Sequence, residues 1–139
     1  MSGPSTELVR GVPFLSRLGD EDVRLLSSEF TERSYAPGQV IVGQGQEGMA
    51  FFVVESGEAN VRRNGVDVAR IGPGDAFGEL ALFDHGGRRA ATVTAATDMR
   101  CWSLPVWSFR AFVEGRPAVA WALLEQLAQR VRELQPDRH

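Results

Sequence analysis

The segment Pro37–Gly72, PGQVIVGQGQEGMAFFVVESGEANVRRNGVDVARIG, decides the fold class. Short runs rich in β-branched residues alternate in it with glycines, which is typical of strands joined by tight turns. Asn64-Gly65 predicts a two-residue type I′ hairpin, because both residues tolerate the positive φ that this turn requires. With the similar run ATVTA at 91–95, about seven short strands are expected, which indicates a small sandwich or a closed roll.

Helical patterns flank this strand-rich segment. Residues 6–30 are expected to be helical, with Asp20 capping the helix that follows it. Two further helices are expected after Leu104, one ending at Gly115 and one beginning at Pro117. The last helix carries an a/d stripe of about two heptads, formed by Ala120, Leu124, Leu127, Val131 and Leu134.

The composition bounds the possible classes of function. A chain of 139 residues suits one domain, and a net charge of −3 disfavours a broad nucleic-acid or anionic-membrane surface. No apolar run approaches the roughly 18 residues of a membrane span, and the N-terminus lacks the apolar core of a signal peptide. Cys101 is the only cysteine, so we expect no internal disulfide, a reducing cytoplasmic location and a buried, inert thiol.

The sequence offers no signature of catalysis. Gly43–Gly48, GQGQEG, matches the dinucleotide fingerprint in letters, but a strand-like run follows it where the fingerprint requires a helix. These glycines are therefore expected to form a turn between strands. No G-x-S-x-G, P-loop or H-E-x-x-H motif is present, and the two histidines and one cysteine do not have metal-ligand spacing. We expect neither an enzyme nor a metal protein.

The segment Phe77–Thr92, FGELALFDHGGRRAAT, combines groups that suit a phosphate and a sugar. Gly78 lets the backbone approach a ligand closely, and the ELAL run can make one helical turn whose N–H groups face an anion. Arg89 can then fold back over the same place and bind two phosphate oxygens. Glu79 repels phosphate but can accept hydrogen bonds from sugar hydroxyls. The alternative is a surface ion pair between Glu79 and Arg89.

Two small residues, Ala90 and Ala91, follow the arginine and would let the ligand approach the backbone of the next strand. The combined pattern therefore predicts a site for a ribose phosphate with a single negative charge.

FGELAL followed by RRAAT resembles the phosphate-binding cassette of the cyclic nucleotide-binding domain family. That family includes bacterial catabolite-activator-type regulators and the regulatory subunit of cAMP-dependent protein kinase. The run beginning at Pro37 resembles the family's opening strands, and GPGDAFGE resembles its approach to the cassette. The resemblance covers residues 6–135 and implies a mainly β fold with flanking helices. Its parts are N-terminal helices at 6–30, an eight-stranded β-roll (a jelly roll) at 33–104, and two C-terminal helices at 105–135.

The resemblance also implies roles for individual residues. Glu79 would bond the ribose 2′-hydroxyl, and Arg89 would pair with the exocyclic phosphate oxygens. Arg88 is expected to be solvated. Ala90 follows the arginine where cGMP-selective relatives tend to carry Thr or Ser, so it favours cAMP over cGMP. Backbone contacts would come from Gly78, Leu80, Ala81 and Ala90.

Two departures from the family pattern concern the end of the chain. Catabolite-activator-type regulators continue into a helix-turn-helix domain where this sequence stops, so no DNA binding is expected from this chain. These relatives also present hydroxyl residues to the adenine late in the last helix, where this sequence has Leu134 and Gln135. Val131, Leu134 or Trp121 could instead form an apolar lid over the base, or could pack on the roll or on a second copy.

The expected function is a non-catalytic cyclic nucleotide receptor module that binds cAMP, with cGMP less favoured, and signals by a shift of the C-terminal helices. A downstream protein of unknown identity and a weak homodimer through the last helix are the expected partners. The alternative is an interaction or regulatory protein of the same fold with a vestigial nucleotide site.

Overall fold

The computed structural model describes residues 3–83 and 87–134. Within these residues the chain forms eight strands, five α-helices and one 3₁₀ helix, Pro13–Leu15. The strands are β1 Thr31–Tyr35, β2 Val40–Val42, β3 Ala50–Ser56, β4 Ala59–Arg63, β5 Val66–Ile71, β6 Ala76–Phe77, β7 Thr92–Ala95 and β8 Met99–Pro105. The α-helices are α1 Thr6–Arg10, α2 Asp20–Ser27, α3 Leu80–Phe83, α4 Val106–Glu114 and α5 Pro117–Glu133.

The strands form two four-stranded antiparallel sheets, ordered β1-β8-β3-β6 and β2-β7-β4-β5. This arrangement, with helices before and after the strands, confirms the predicted fold class of a β-roll with flanking helices. Asn64 and Gly65 have φ values of 53° and 80°, and Arg63 pairs directly with Val66. The predicted two-residue hairpin is therefore confirmed.

Strand β3 separates two hydrophobic cores because its side chains alternate between the two faces of its sheet. Phe51 and Val53 belong to the core shared with the helices, where Phe51 meets Phe14 edge-on at 5.6 Å between ring centroids. Phe52 and Val54 belong to the core inside the roll. One strand thus contacts both the helices and the interior that holds the cavity described below.

The N-terminal helices are short, and the predicted role of Asp20 is wrong. Gly19 occupies the N-cap position of α2 without a side-chain cap, and its carbonyl accepts the amide of Val23 at 3.0 Å. Asp20 is instead the first helical residue, and its carboxylate pairs with Arg10 of α1. An acidic first turn complements the positive end of the helix dipole, so Asp20 stabilises α2 without capping it.

Helix α5 contacts the rest of the protein along a face beside the predicted a/d stripe. Val119, Leu123 and Gln126 are buried. Within the stripe, the side chains range from half-buried to strongly exposed: Ala120 and Leu127 are half-buried, while Leu124, Val131 and Leu134 are 54%, 55% and 81% exposed. The β-roll therefore leaves most of this stripe uncovered.

Cys101 on β8 is fully buried, as the sequence predicts. Burial penalises the thiolate and raises the pKa of Cys101 to about 11, so the thiol is protonated at neutral pH. No helix in the described part of the chain is both long enough and apolar enough to cross a membrane.

Candidate functional site

A cavity of about 210 Å³ lies beside the predicted cassette. Most of the predicted ligand-binding residues line it together: Gly78, Glu79, Ala81, Arg89, Ala90 and Ala91. Leu80 begins α3, between Glu79 and Ala81. The remaining lining residues are Val42, Gly48, Val61, Phe77, Gly87, Arg88 and Val93. The three valines could have been found from the sequence, because they belong to strands that alternate toward one interior.

Arg89 brings a cation to this cavity. Its Nη2 donates a hydrogen bond of 2.6 Å to the carbonyl of Ala50, and its Cζ lies 6.0 Å from the ring centroid of Phe52. Partial burial lowers the pKa of Arg89, but an arginine remains protonated at neutral pH. Among the described residues no carboxylate forms an ion pair with it. The charge is therefore held without a counter-ion from residues 3–83 and 87–134.

Two glycines make room for this guanidinium. At Gly78, whose φ is +83°, an added Cβ would overlap Nη1 of Arg89 and lie 3.1 Å from the Ala50 carbonyl oxygen. At Gly48, an added Cβ would lie 2.9 Å from Cβ of Ala81 and 3.3 Å from Cζ of Arg89. The absence of a side chain at Gly78 thus leaves space for the Arg89 guanidinium, in addition to any space it leaves for a ligand.

The Gly43–Gly48 segment is the turn between β2 and β3 that the sequence predicts, and it also holds the arginine segment in place. The amide of Arg89 donates to the carbonyl of Gln46 at 2.7 Å, and Gly45 donates back to the carbonyl of Arg89 at 2.9 Å. Arg88 is exposed, but its Nη1 donates to the carbonyl of Gly45 at 2.7 Å, so it is not purely solvated. Sequence reasoning missed this contribution because the two segments are far apart in the chain.

Glu79 is paired with the last helix. Its Oε2 lies 3.9 Å from Nη2 of Arg130 on α5, and both side chains are partly exposed. The surface ion pair between Glu79 and Arg89, which was the alternative interpretation of the sequence, is not among the ion pairs of the described residues. Arg130 was not predicted, since nothing in the spacing of an arginine 51 residues away identifies it as a neighbour of Glu79.

Helix α3 is the single turn expected from ELAL. The amide of Ala81 donates to the carbonyl of Gly78 at 3.1 Å, and the amide of Leu82 donates to the backbone carbonyl of Glu79 at 3.0 Å. Both amides are therefore already used within the turn. The backbone contact predicted for Ala81 would require this hydrogen bond to be shared or exchanged.

The predicted lid residues lie away from this arrangement. Trp121, Val131 and Leu134 are 65%, 55% and 81% exposed, and the cavity lining does not include them. The structure therefore does not bring the lid residues together with the cassette, and the lid stays a prediction.

The family model described as "Cyclic nucleotide-binding domain" matches residues 32–116 of the sequence. The chain belongs to the cyclic nucleotide-binding domain family. The match includes all eight strands except the first residue of β1, the whole cassette and helix α4. The resemblance noted from the sequence is thereby confirmed.

The curated relatives that the chain matches are longer than the chain itself. The chain is 35% identical to the cyclic AMP receptor protein of Thermus thermophilus over 130 residues, covering 90% of this chain and 60% of the relative. It is 40% identical to the cAMP-dependent protein kinase regulatory subunit of Yarrowia lipolytica, covering 69% of this chain and 26% of the relative. The chain thus spans less than two thirds of the length of these curated relatives.

Among solved structures, the chain is similar to the N-terminal domain of a transcriptional regulator from Streptomyces coelicolor. The TM-score is 0.86 at 31% identity, and the alignment covers 95% of this chain and 97% of that domain. The fold of that domain is therefore shared by almost the whole of this chain.

We expect Gly78→Ala to destabilise the protein more than Gly65→Ala does. Both positions have positive φ, so each alanine introduces backbone strain of about 1–3 kcal/mol. The space around Gly65 is open, whereas a Cβ at Gly78 collides with Arg89, adding about 1–3 kcal/mol of overpacking. Urea denaturation of both variants without nucleotide measures the difference. Equal losses would show that Arg89 moves aside without cost.

Proposed function

We propose that this chain is a non-catalytic receptor module for a cyclic mononucleotide, with cAMP preferred over cGMP. The observation that supports it most is the Arg89 guanidinium, which lines the cavity, is partly buried, and is held by a backbone carbonyl. A neutral carbonyl does not compensate the positive charge of the guanidinium. The guanidinium can therefore still attract an anion. A cyclic phosphate supplies one negative charge for it.

In the proposed complex, Glu79 and Arg89 divide the ligand between them. Arg89 pairs with the exocyclic phosphate oxygens, and Glu79 accepts a hydrogen bond from the ribose 2′-hydroxyl. Gly78, Ala90 and Ala91 keep their own part of the cavity wall free of large side chains, so the sugar phosphate can approach the backbone there. The names of the Thermus and Yarrowia relatives refer to cyclic AMP, which supports the choice of cAMP.

The ion pair between Glu79 and Arg130 gives the proposed signal a route to helix α5. A ribose hydroxyl on Glu79 competes with Arg130, whose Nη2 is 3.9 Å away and whose side chain is 44% exposed. Weakening this contact makes the present position of α5 less favourable in free energy. Ligand binding and the position of α5 are therefore linked in this proposal. A vestigial site is a weaker interpretation, because both charged residues of the cassette are present and line one cavity.

We expect Arg89→Ala to weaken cAMP binding by roughly 2–5 kcal/mol, as for truncating one partner of a buried charge pair. Arg88→Ala should change it by under about 1 kcal/mol, because Arg88 is exposed and bonded to a neutral carbonyl. Calorimetric titration of both variants measures the two losses. Equal losses at the two positions would contradict the assignment of Arg89 as the phosphate ligand.

Ligand identity should be visible as thermal stabilisation. A ligand that binds only the folded state adds about 2.7 kcal/mol to the free energy of unfolding at a hundredfold excess over its Kd. We expect a clear rise in Tm with cAMP, a smaller rise with cGMP, and none with 5′-AMP, whose open phosphate carries up to about two charges. A larger rise with cGMP would show that Ala90 does not select for cAMP.

The uncovered stripe of α5 supports a proposed weak homodimer. Leu124 is 54% exposed on this stripe, so Leu124→Glu should leave the fold intact and place two unpaired carboxylates in the seam. We expect a monomer–dimer equilibrium in sedimentation velocity that this variant abolishes. Ala118→Glu, at an exposed α5 position outside the stripe, is the matched control and should still dimerise. A wild type that stays monomeric at high concentration, with and without cAMP, would rule the seam out.

A further inference from the structure

Strand β3 contacts the Arg89 guanidinium at two places. The carbonyl of Ala50 accepts the hydrogen bond from Nη2 at 2.6 Å, and the ring of Phe52 lies 6.0 Å from Cζ. The first contact satisfies one donor of the guanidinium. The second places an aromatic ring at a distance where cations are attracted to aromatic rings.

The ring of Phe52 is itself held firmly. Phe52 is 7% exposed and stacks on Phe77 with 4.9 Å between ring centroids and an interplanar angle of 9°. The two residues are direct partners in the pairing of β3 with β6. Phe77 also lines the cavity. The stack therefore extends from the roll interior to the cavity wall.

An aromatic ring differs from a carboxylate as a support for a ligand-binding arginine. A carboxylate would neutralise the guanidinium and compete with an incoming anion for the same N–H groups. A ring attracts the cation by its quadrupole, carries no net charge and leaves the N–H groups available. An aliphatic side chain would fill the same space without this attraction, so Arg89 would keep more rotamer freedom to lose when an anion binds.

We propose that Phe52, supported by Phe77, is a positioning residue for the anion: its ring holds the Arg89 guanidinium in place before the phosphate arrives. The proposal rests on the proposed function, in which Arg89 receives the cyclic phosphate. In this proposal, Phe52 contributes to the affinity for the cyclic nucleotide only by holding Arg89 in position.

A double-mutant cycle tests this coupling. The Kd for cAMP is measured by NMR titration, which reaches the millimolar range, for Phe52→Leu and Phe52→Tyr in the wild-type and Arg89→Ala backgrounds. We expect Phe52→Leu to weaken binding on the order of fivefold when Arg89 is present and to have little effect when it is absent. Phe52→Tyr keeps the ring and should retain most of the affinity.

Val54→Ala is the matched control for core damage. Val54 is fully buried in the same core as Phe52, on the same strand, so its truncation lowers stability through lost packing. We expect Val54→Ala to reduce the free energy of unfolding while leaving the Kd nearly unchanged. If Phe52→Leu does not fold, Phe77→Leu removes the support of the ring instead and enters the same cycle.

The Arg89 Nε–Hε resonance of the ligand-free protein gives a second readout. A nearby ring shifts it, so the signal should move in Phe52→Leu and stay in place in Phe52→Tyr and Val54→Ala. Normal cAMP binding with equal Phe52→Leu losses in both backgrounds would overturn the positioning role alone. Failure of the wild type to bind cAMP or cGMP would overturn the proposed function, and the positioning role with it.

Discussion

The hydrogen bond from Arg89 Nη2 to the carbonyl of Ala50, 2.6 Å long, joins the segment after α3 to the strand that separates the two cores. Removing a guanidinium from water is costly, so its donors must be satisfied inside the protein. The space for it comes from Gly48 and Gly78, and the backbone of its own residue is fixed by Gln46. The lack of a side chain at two positions that are distant in the sequence therefore makes room for this one guanidinium.

The same end of β3 is also connected to the C-terminal helices. The amide of Val106, the first residue of α4, donates to the carbonyl of Met49 at 3.0 Å. Met49 directly precedes Ala50, whose carbonyl holds Arg89. Neighbouring carbonyls thus fix the start of the C-terminal helices and the cation of the cavity. Under the proposed function, a displacement of this short segment by the nucleotide would reach α4 through one peptide unit, alongside the contact between Glu79 and Arg130.

Local patterns predicted much of this architecture because they depend on residues close in sequence. The Asn64-Gly65 hairpin follows from the φ tolerance of two adjacent residues, and the single turn of α3 follows from a four-residue run. The convergence of Glu79 and Arg89 on one cavity was also predictable, because a short segment carries both. Asp20 is the local exception: the helix begins one residue earlier than its side chain suggests, because Gly19 can occupy the cap.

Contacts between distant segments could not be predicted in the same way. Arg130 reaches Glu79 only because α5 packs against α4 and the 3₁₀ helix at a particular rotation, which a stripe of apolar residues does not specify. The segment Gly43–Gly48 could be placed in a turn, but the backbone hydrogen bonds of its Gly45 and Gln46 to Arg89 depend on how β2 and β7 pair. Phe52 is one of two adjacent phenylalanines, and only the orientation of β3 decides which of them meets the guanidinium.

The charges around the cavity also constrain the ligand that the proposed function requires. Arg89 lines the cavity with a positive charge, and Glu79 lines it with a negative charge that Arg130 partly offsets from α5. An anionic group beside Glu79 would be repelled, and a cationic group beside Arg89 would be repelled as well. A ligand therefore needs an anionic end at Arg89 and, at Glu79, an end without negative charge that can donate hydrogen bonds. A cyclic phosphate fused to a ribose has this arrangement in a rigid ring, so little conformational entropy is lost when both ends bind together.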